Sequence, residues 1–287
     1  MIAVPEGESP MLRFDDLSPY LLLKNGNYLY KVPYEAGRDG WAVLKVYYGD
    51  RTWFQYLSKT FGNVVLANQT GFFPRTRRRV ELECLKLWAD NDFRVFGIYP
   101  EVQVEVPGLP EEGWTLFEWA PGLTFVDYFA DESVPVDVRL KTWREFVPEW
   151  ARRHRIAVDK REPRLIHENG DLKHVMILDD QLVYFDFEMV FRSPTRVKEF
   201  AAREILSYLK SLGKTLANEE LWETFVEETV QAYEDKGQLR YTHQFAYANP
   251  NLFLRAARAY DRTFRPRAQK PFSKYSVARR LQKFLPT

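Results

Sequence analysis

The first third of the chain alternates short apolar runs with turn-forming residues, a pattern typical of antiparallel strands. Three runs rich in aromatic and β-branched residues are predicted as strands, at residues 20–23, 28–34 and 41–48. The Asn25-Gly26 pair between the first two runs is a strong hairpin signal, because both residues tolerate positive φ. A second turn cluster precedes the third run. The pattern therefore predicts a three-stranded antiparallel meander.

The apolar period changes after the meander. Apolar side chains recur at three- and four-residue spacing across residues 75–91, which predicts an amphipathic helix. Two further strands are predicted at residues 101–106 and 114–118. The N-terminal part of the chain is therefore expected to combine strands with one helix.

After Pro121-Gly122 the pattern becomes helical. Helices are predicted near residues 124–131, 135–158, 196–212, 218–236 and 251–264. A short strand pair, at residues 175–178 and 182–187, is embedded among them. The element order predicts an α+β fold with two lobes. The expected division is a β-rich N-lobe at residues 1–120, a mainly helical C-lobe at 121–250 and a C-terminal extension at 251–287.

Composition narrows the class of protein. The chain has 287 residues, 45% hydrophobic and 28% charged, as expected for a globular protein with a substantial core. Its one cysteine, Cys84, excludes a disulfide framework and a cysteine-built zinc site. No run approaches 18 consecutive apolar residues, and the N-terminus lacks the features of a signal peptide. We therefore expect a cytoplasmic protein.

The net charge of +1 hides an uneven distribution. Residues 252–287 contain ten Lys or Arg and one acid, Asp261, so they carry +9 and the rest of the chain carries −8. This polarity predicts an anionic partner, which is an inner membrane surface to which the protein is peripheral, a nucleic acid or a phosphorylated substrate. The alternative is a solvated basic face that balances an acidic body.

Apolar residues interleave with these charges, as in a helix that lies in a membrane interface. They are Phe272, Tyr275, Val277, Leu281, Phe284 and Leu285. The aromatic residues of the chain lack the basic interleaving on one strand face that a base-stacking surface needs. A nucleic-acid partner is therefore not expected.

Two aspartates, Asp171 and Asp186, flank the predicted strand pair. A strand–turn–strand path returns the chain beside its start, so both carboxylates can converge. One can then orient or deprotonate a hydroxyl nucleophile while the other holds a divalent cation. Lys173 can neutralise a phosphoryl group in transfer. These are the components that phosphoryl transfer requires.

The segment Gly170-Asp171-Leu172-Lys173, followed by Asp186-Phe187-Glu188, resembles the catalytic loop and metal-binding motif of the protein-kinase-like superfamily. The resemblance is to its small bacterial branch of lipopolysaccharide-core (Kdo and heptose) kinases. Residues 41–46 resemble the strand that carries the nucleotide-binding lysine, and residues 116–129 resemble the interlobe hinge. The resemblance extends over residues 20 to 235.

The resemblance implies a two-lobe kinase-like fold that uses ATP and Mg²⁺ to phosphorylate a sugar or glycolipid acceptor. It implies that Asp171 is the catalytic base and that Lys173 assists it. It also implies nucleotide-binding and metal-binding roles. In these roles, Lys45 binds the ATP phosphates and Glu81 pairs with Lys45. The main chain of Glu118 and Ala120 binds adenine, and Asp186 with Glu188 binds the metal.

Three departures from the family pattern leave alternatives open. The first turn has one glycine, Gly26, and Asn169 stands where the family usually has His. Met176 stands where the family usually has an Asn metal ligand, and a thioether is a poor ligand for Mg²⁺. A pseudokinase that binds or scaffolds without turnover is therefore one alternative. A minimal protein Ser/Thr kinase is the other, disfavoured by the connection of about eight residues after Glu188.

Overall fold

The structure is a computed structural model and describes residues 10–24, 26–49, 51–110, 112–247 and 252–286. They form two compact units. The first unit lies within Met1–Pro121 and Phe185–Met189, and the second within Gly122–Tyr184 and Val190–Thr287. The motif Asp186-Phe187-Glu188, predicted as part of the C-lobe, thus belongs to the first unit. The expected boundary at residues 250 and 251 lies outside the described residues.

The first unit is built on a four-stranded antiparallel sheet. Its strands and a separate short pair are β1 (Met11–Arg13), β2 (Leu21–Lys24), β3 (Tyr28–Pro33), β4 (Trp41–Val46), β5 (Gln103–Glu105) and β6 (Trp114–Glu118). The sheet order is β2-β3-β4-β6, and β1 pairs with β5 in parallel. The predicted meander is therefore present, with β6 added beside β4. Asn25 of the predicted hairpin turn lies outside the described residues.

The side chains of β4 alternate between the two faces of the sheet, and this alternation determines where the predicted lysine lies. Ala42, Leu44 and Val46 are buried in the core of the first unit. Because successive side chains of a strand point to opposite faces, Lys45 projects from the other face of the sheet. It is nevertheless buried, with 7% of the residue exposed.

Two helices accompany the sheet, although the sequence pattern predicted one. Helix α1 (Trp53–Phe61) continues as a π-helical segment, Gly62–Ala67, and helix α2 follows at Pro74–Ala89. Helix α1 begins with a capping box in which Thr52 and Gln55 satisfy each other's backbone amides. The expectation of a single helix is therefore wrong. Helix α1 was missed although its apolar residues recur at helical spacing.

The second unit is mainly helical. Its elements are β7 (Leu123–Thr124), α3 (Phe125–Ala130), α4 (Val136–Lys160), β8 (Val175–Leu178), β9 (Gln181–Tyr184), α5 (Val197–Leu216), α6 (Glu219–Ala232), α7 (Lys236–Tyr247), α8 (Leu252–Phe264) and α9 (Lys274–Phe284). Aromatic side chains fill its core: the Phe146 ring stacks 5.6 Å from Trp150, and Trp143 meets Phe225 at 5.9 Å. The predicted fold class is thus confirmed, with a strand-rich unit and a mainly helical unit.

Helix α9 corrects the interpretation of the basic extension. Tyr275, Val277 and Leu281 are buried, because α9 packs against α5, α6 and α7. The apolar face that suggested an interfacial helix is therefore part of the protein core. Some of the positive charge is paired as well: Arg280 lies 3.2 Å from the carboxylate of Glu219. Within the described ranges, no helix is both long enough and apolar enough to cross a membrane.

Candidate functional site

Lys45 lies at the centre of a buried group of charges in the first unit. Its Nζ is 2.8 Å from carboxylate oxygens of Glu81 and 2.8 Å from Glu188 Oε1. Asp186 Oδ1 is 3.8 Å away. The guanidinium of Arg77 lies 2.8 Å from Glu188 Oε2. We call these five residues the ion cluster.

Helix α2 supplies two members of the ion cluster because Arg77 and Glu81 are four residues apart and share one helix face. Both side chains are buried, whereas Glu83 is half exposed. The structure therefore brings Glu81, the predicted partner, to Lys45. Glu83 lies 3.8 Å from Arg79 on the solvent side.

Three carboxylates around one ammonium group determine the protonation of the cluster. Burial opposes the charge of Lys45, but Glu188 and Glu81 overcome this and hold the pKa of Lys45 well above its usual value. Burial raises the pKa of Glu81, and Glu188 acts in the same direction against the attraction of Lys45. Tyr47 donates its hydroxyl to Glu81 Oε2 at 2.5 Å. The two carboxylates therefore favour the charged form of Lys45.

Arg77 and Asn27 are members of the site that sequence reasoning missed. Arg77 donates to the carbonyl of Tyr47, and Asn27 donates its amide to Glu188. Asn27 follows the single glycine of the first hairpin turn, so the β2–β3 hairpin is tied to Glu188. The available signal in the sequence was an arginine one turn before Glu81. It could not be recognised because the run Arg75-Thr76-Arg77-Arg78-Arg79 does not show which arginine is buried.

Asp186 is the most exposed carboxylate of the ion cluster, with 40% of its side chain accessible. Its backbone has φ of 69°, in the left-handed region that Asp tolerates better than most residues. Among the described residues, no group of three or more His, Cys, Asp or Glu side chains can hold a metal ion. The accessible carboxylate of Asp186 is a hard oxygen donor of the kind that Mg²⁺ prefers, and this ion commonly takes its other ligands from phosphate and water.

The predicted hinge residues lie at the end of β6. The amide of Glu118 donates to the carbonyl of Gly97 at 2.9 Å. A main-chain contact to a ligand from Glu118 must therefore use its carbonyl oxygen. Ala120 follows two residues later and is half-buried.

The second unit carries the predicted catalytic loop. Asp171 Oδ1 accepts hydrogen bonds from the hydroxyl of Ser211 at 2.8 Å and from the amide of Lys173 at 3.2 Å. Ser211 lies on α5, so this helix fixes the rotamer of Asp171. The side chain of Lys173 is exposed. Ser211 was missed because 40 residues separate it from its partner.

A fully buried network beneath this loop joins α4 to α5. We call Arg153, His154 and Glu204 the loop-support network. Glu204 accepts from Arg153 at 2.9 Å and from the amide of His167 at 2.9 Å, and it also contacts His154 Nε2. Arg153 donates to the carbonyl of Leu165 at 2.6 Å. The network therefore holds the backbone that leads into Asp171.

Charge pairing dominates the titration of this network. Burial alone would raise the pKa of Glu204, but the charges of Arg153 and His154 lower it to about 2. Glu204 is therefore ionised across the physiological pH range.

The residues around Asp171 fit closely against α5. A Cβ at Gly170 would lie 2.6 Å from Glu204 Cγ, so only glycine fits there. His174 Nδ1 lies 2.9 Å from the carbonyl of Asn169, and its ring stacks on His167 at 5.1 Å. The two histidines therefore contact each other and the backbone of the loop that carries Asp171.

Met176 has a packing role that accounts for its presence. It lies on β8 opposite Thr124, and a Cβ at Gly122 would meet its side chain at 2.6 Å. The predicted strand pair is present, with Val175 opposite Tyr184. Its two-residue turn places Asp179 and Asp180 at positive φ. Met176 therefore packs the strand β7 against the hairpin.

Comparison with known proteins adds a structural likeness. No protein-family model matches the chain, and no curated protein matches it in sequence. Among solved structures, the chain is similar to WaaP in complex with acyl carrier protein, with a TM-score of 0.38 and 11% identity. The alignment covers 78% of this chain and 87% of that chain. At this level of similarity, the functional interpretation rests on the residues of the chain itself.

Proposed function

We propose that the protein is a kinase-like phosphotransferase that moves the γ-phosphoryl group of ATP to a hydroxyl of a sugar or glycolipid. The observation that carries this proposal is the ion cluster, in which Lys45 is paired with Glu81 and lies 3.8 Å from the exposed carboxylate of Asp186. A buried lysine held by an acid, beside a second and accessible acid, suits a bound nucleotide with its metal.

The first unit would bind the nucleotide. Lys45 is held as a cation and can bind the α and β phosphates, with Glu81 fixing its position. Asp186 would hold Mg²⁺, which neutralises phosphate charge when bound. An adenine edge presents one donor and one acceptor. The carbonyl of Glu118 and the amide of Ala120 are the matching main-chain groups.

The second unit would bind the acceptor. Asp171 would orient the acceptor hydroxyl and take its proton as the new P–O bond forms. Ser211 and the amide of Lys173 keep one oxygen of Asp171 occupied, which leaves the other oxygen to face the acceptor. The exposed amine of Lys173 would offset charge on the phosphoryl group.

The cations near Asp171 favour an acceptor with a negative charge of its own. Burial and the charge of Lys214 lower the pKa of Lys210, and the carboxylate of Asp171 opposes this shift. Lys274 and Arg267 of the basic extension act on Lys210 in the same direction as Lys214. A lipopolysaccharide-core sugar such as Kdo, which carries a carboxylate, fits this charge. A phosphorylated heptose does so equally.

The first test is nucleotide binding by calorimetry, with and without Mg²⁺. We expect the wild type to bind ATP at least tenfold more tightly with Mg²⁺, and Asp186→Asn to lose this enhancement. Lys45→Met should bind no nucleotide, whereas Lys86→Met, on the solvent side of α2, should bind as the wild type does. Thermal melting would verify that each variant is folded. Equal Mg²⁺ dependence in the wild type and Asp186→Asn would contradict the proposal.

The second test is transfer from labelled ATP to Kdo-bearing glycolipid, with a protein acceptor offered in parallel. We expect Asp171→Asn to reduce the rate by about 10²- to 10⁴-fold, the usual contribution of a general base. Labelling of the protein acceptor alone would point instead to a Ser/Thr kinase.

A nucleotide-binding pseudokinase is the second candidate. Glu188 lies 2.8 Å from Lys45, where a phosphate oxygen would otherwise lie, and Met176 replaces the usual metal ligand. Under this proposal, ATP binds without Mg²⁺ dependence and Asp171→Asn changes no rate.

A further inference from the structure

Helix α1 presents its apolar side to solvent. Trp53, Leu57, Phe61 and Val65 follow at four-residue spacing and lie on one face of the helical segment. These four side chains and two neighbours, which together we call the apolar ridge, are exposed by these fractions: Trp53 70%, Phe54 76%, Leu57 48%, Phe61 65%, Val65 60% and Leu66 81%. Tyr56, on the other side of the helix, is buried. Monomeric proteins rarely expose so continuous an apolar patch unless it meets a partner.

The segment that carries the ridge is rich in basic residues. Residues 51–80 contain six Lys or Arg and no Asp or Glu. The polar side of α1 borders a groove of about 990 Å³ whose charged lining residues are Lys24, Arg51 and Lys59. Lys59 Nζ lies 4.0 Å from the centroid of the Phe72 ring, which anchors this cation beside the helix. A partner of the ridge must therefore tolerate a row of cations at its edge.

We propose that the apolar ridge inserts into the headgroup region of an anionic lipid bilayer, with Lys24, Arg51 and Lys59 against the lipid phosphates. An exposed row of Trp, Phe and Leu beside lysines is the composition of helices that lie in a membrane interface. Cations near an anionic leaflet add attraction that falls with salt. The ridge is part of the first unit, so this membrane surface differs from residues 252–287. It is independent of the proposed phosphoryl transfer.

The test is co-sedimentation of the full chain with lipid vesicles. We expect at least tenfold tighter binding to vesicles with 30% phosphatidylglycerol than to pure phosphatidylcholine, and weaker binding as salt rises. The variant Phe54→Ser/Phe61→Ser/Leu66→Ser should lose at least tenfold in affinity for anionic vesicles. Lys59→Glu should weaken that binding several-fold and leave the weak binding to neutral vesicles unchanged.

A matched control lies in the second unit. Tyr260 and Phe264 are 61% and 67% exposed on the basic helix α8, and Tyr260→Ser/Phe264→Ser should change vesicle affinity less than twofold. Circular dichroism and thermal melting would verify that all variants are folded. Absence of binding to anionic vesicles would overturn the proposal, as would loss of binding only in the α8 variant. A dimer that the triple variant dissociates, without vesicle binding, would assign the ridge to a second copy and also overturn it.

Discussion

The ion cluster and the loop-support network are both built from buried charges, yet they differ in how far the charges are enclosed. In the loop-support network, the side chains of Arg153 and Glu204 have no solvent exposure at all. In the ion cluster, Lys45 is almost buried but Asp186 is 40% exposed. A closed network can only hold the backbone in place, whereas a network with an accessible carboxylate can exchange partners with a ligand. We therefore propose a positioning role for the loop-support network and a binding role for the ion cluster.

The largest expected effect is the loss of stability when a charge of the loop-support network is removed. Glu204→Gln removes the charge that compensates Arg153, and an uncompensated buried charge costs about 3–5 kcal/mol. We expect the free energy of unfolding to fall by that amount, measured by urea denaturation. Glu199→Gln on the same helix is the control. The arginine partners of Glu199 are partly exposed, so the loss should be about 1 kcal/mol or less. Equal losses of unfolding free energy in the two variants would show that the enclosed position of the loop-support network has no special effect on stability.

The pH dependence of stability tests whether Glu204 is ionised in the loop-support network. The pKa of Glu204 is lowered from 4.5 to about 2 in the folded protein, so its stabilising contribution is present above pH 4.5. As pH falls from 4.5 toward 2, that contribution is lost. The difference in stability between wild type and Glu204→Gln should therefore shrink over this range. A difference independent of pH would contradict the ionised state of Glu204.

The next effect concerns the packing of the catalytic loop on α5. Gly170→Ala would place a methyl group 2.6 Å from Glu204 Cγ, and the strain should cost about 1–3 kcal/mol of stability. Urea denaturation would measure it. Gly62→Ala is the control in the first unit, because its Cβ would meet nothing within 4 Å. The control should be neutral or stabilising by up to about 1 kcal/mol, since Ala favours helix. A neutral Gly170→Ala would show that the loop can move away from α5.

The binding role of the ion cluster is tested through Glu188. Because this carboxylate is paired with Lys45 and Arg77, we assign it to charge compensation, whereas the sequence suggested that it assists the metal. Glu188→Gln should tighten ATP binding in the absence of Mg²⁺ by up to about tenfold, or about 1.4 kcal/mol, measured by calorimetry. Weaker binding that is confined to Mg²⁺-containing buffer would instead support the metal role.

The smallest expected effect is on the rotamer of Asp171. Ser211→Ala removes one hydrogen bond, worth about 0.5–1.5 kcal/mol, so the transfer rate should fall by a factor of about 2–13. Ser207→Ala, one turn earlier on α5 and exposed, should leave the rate unchanged. If both variants lose the same activity, Ser211 has no positioning role.

The α+β class and most of the elements were predictable, because strand and helix periods and turn residues are local properties of sequence. Helix α1 and helix α7 (Lys236–Tyr247) were not. In α1, apolar residues recur at helical spacing but are exposed, so the pattern could not show whether this face is covered. In α9, the opposite occurred: apolar residues interleaved with charge suggested a lipid interface and are buried in the protein.

For the candidate site, the sequence predicted which residue types are present and their order along the chain. Lys45, Glu81, Asp171 and Asp186 stand in recognisable local contexts, and Lys45 and Glu81 do meet in the structure. The other charged residues of the ion cluster and the loop-support network could not be predicted, because they come from segments far apart in the chain. Glu204 meets Arg153 across 51 residues, and Arg77 meets Glu188 across 111.

The sequence by itself determined the chemistry available to this protein: its alternating strands, its helix-forming segments and the acids and lysines near its turns. The tertiary structure decided which charges are enclosed, which remain accessible and which apolar residues lie at the surface. The physical reason is that burial depends on packing between segments far apart in the chain. A pattern of a few residues specifies a local conformation, but not which neighbour will cover it.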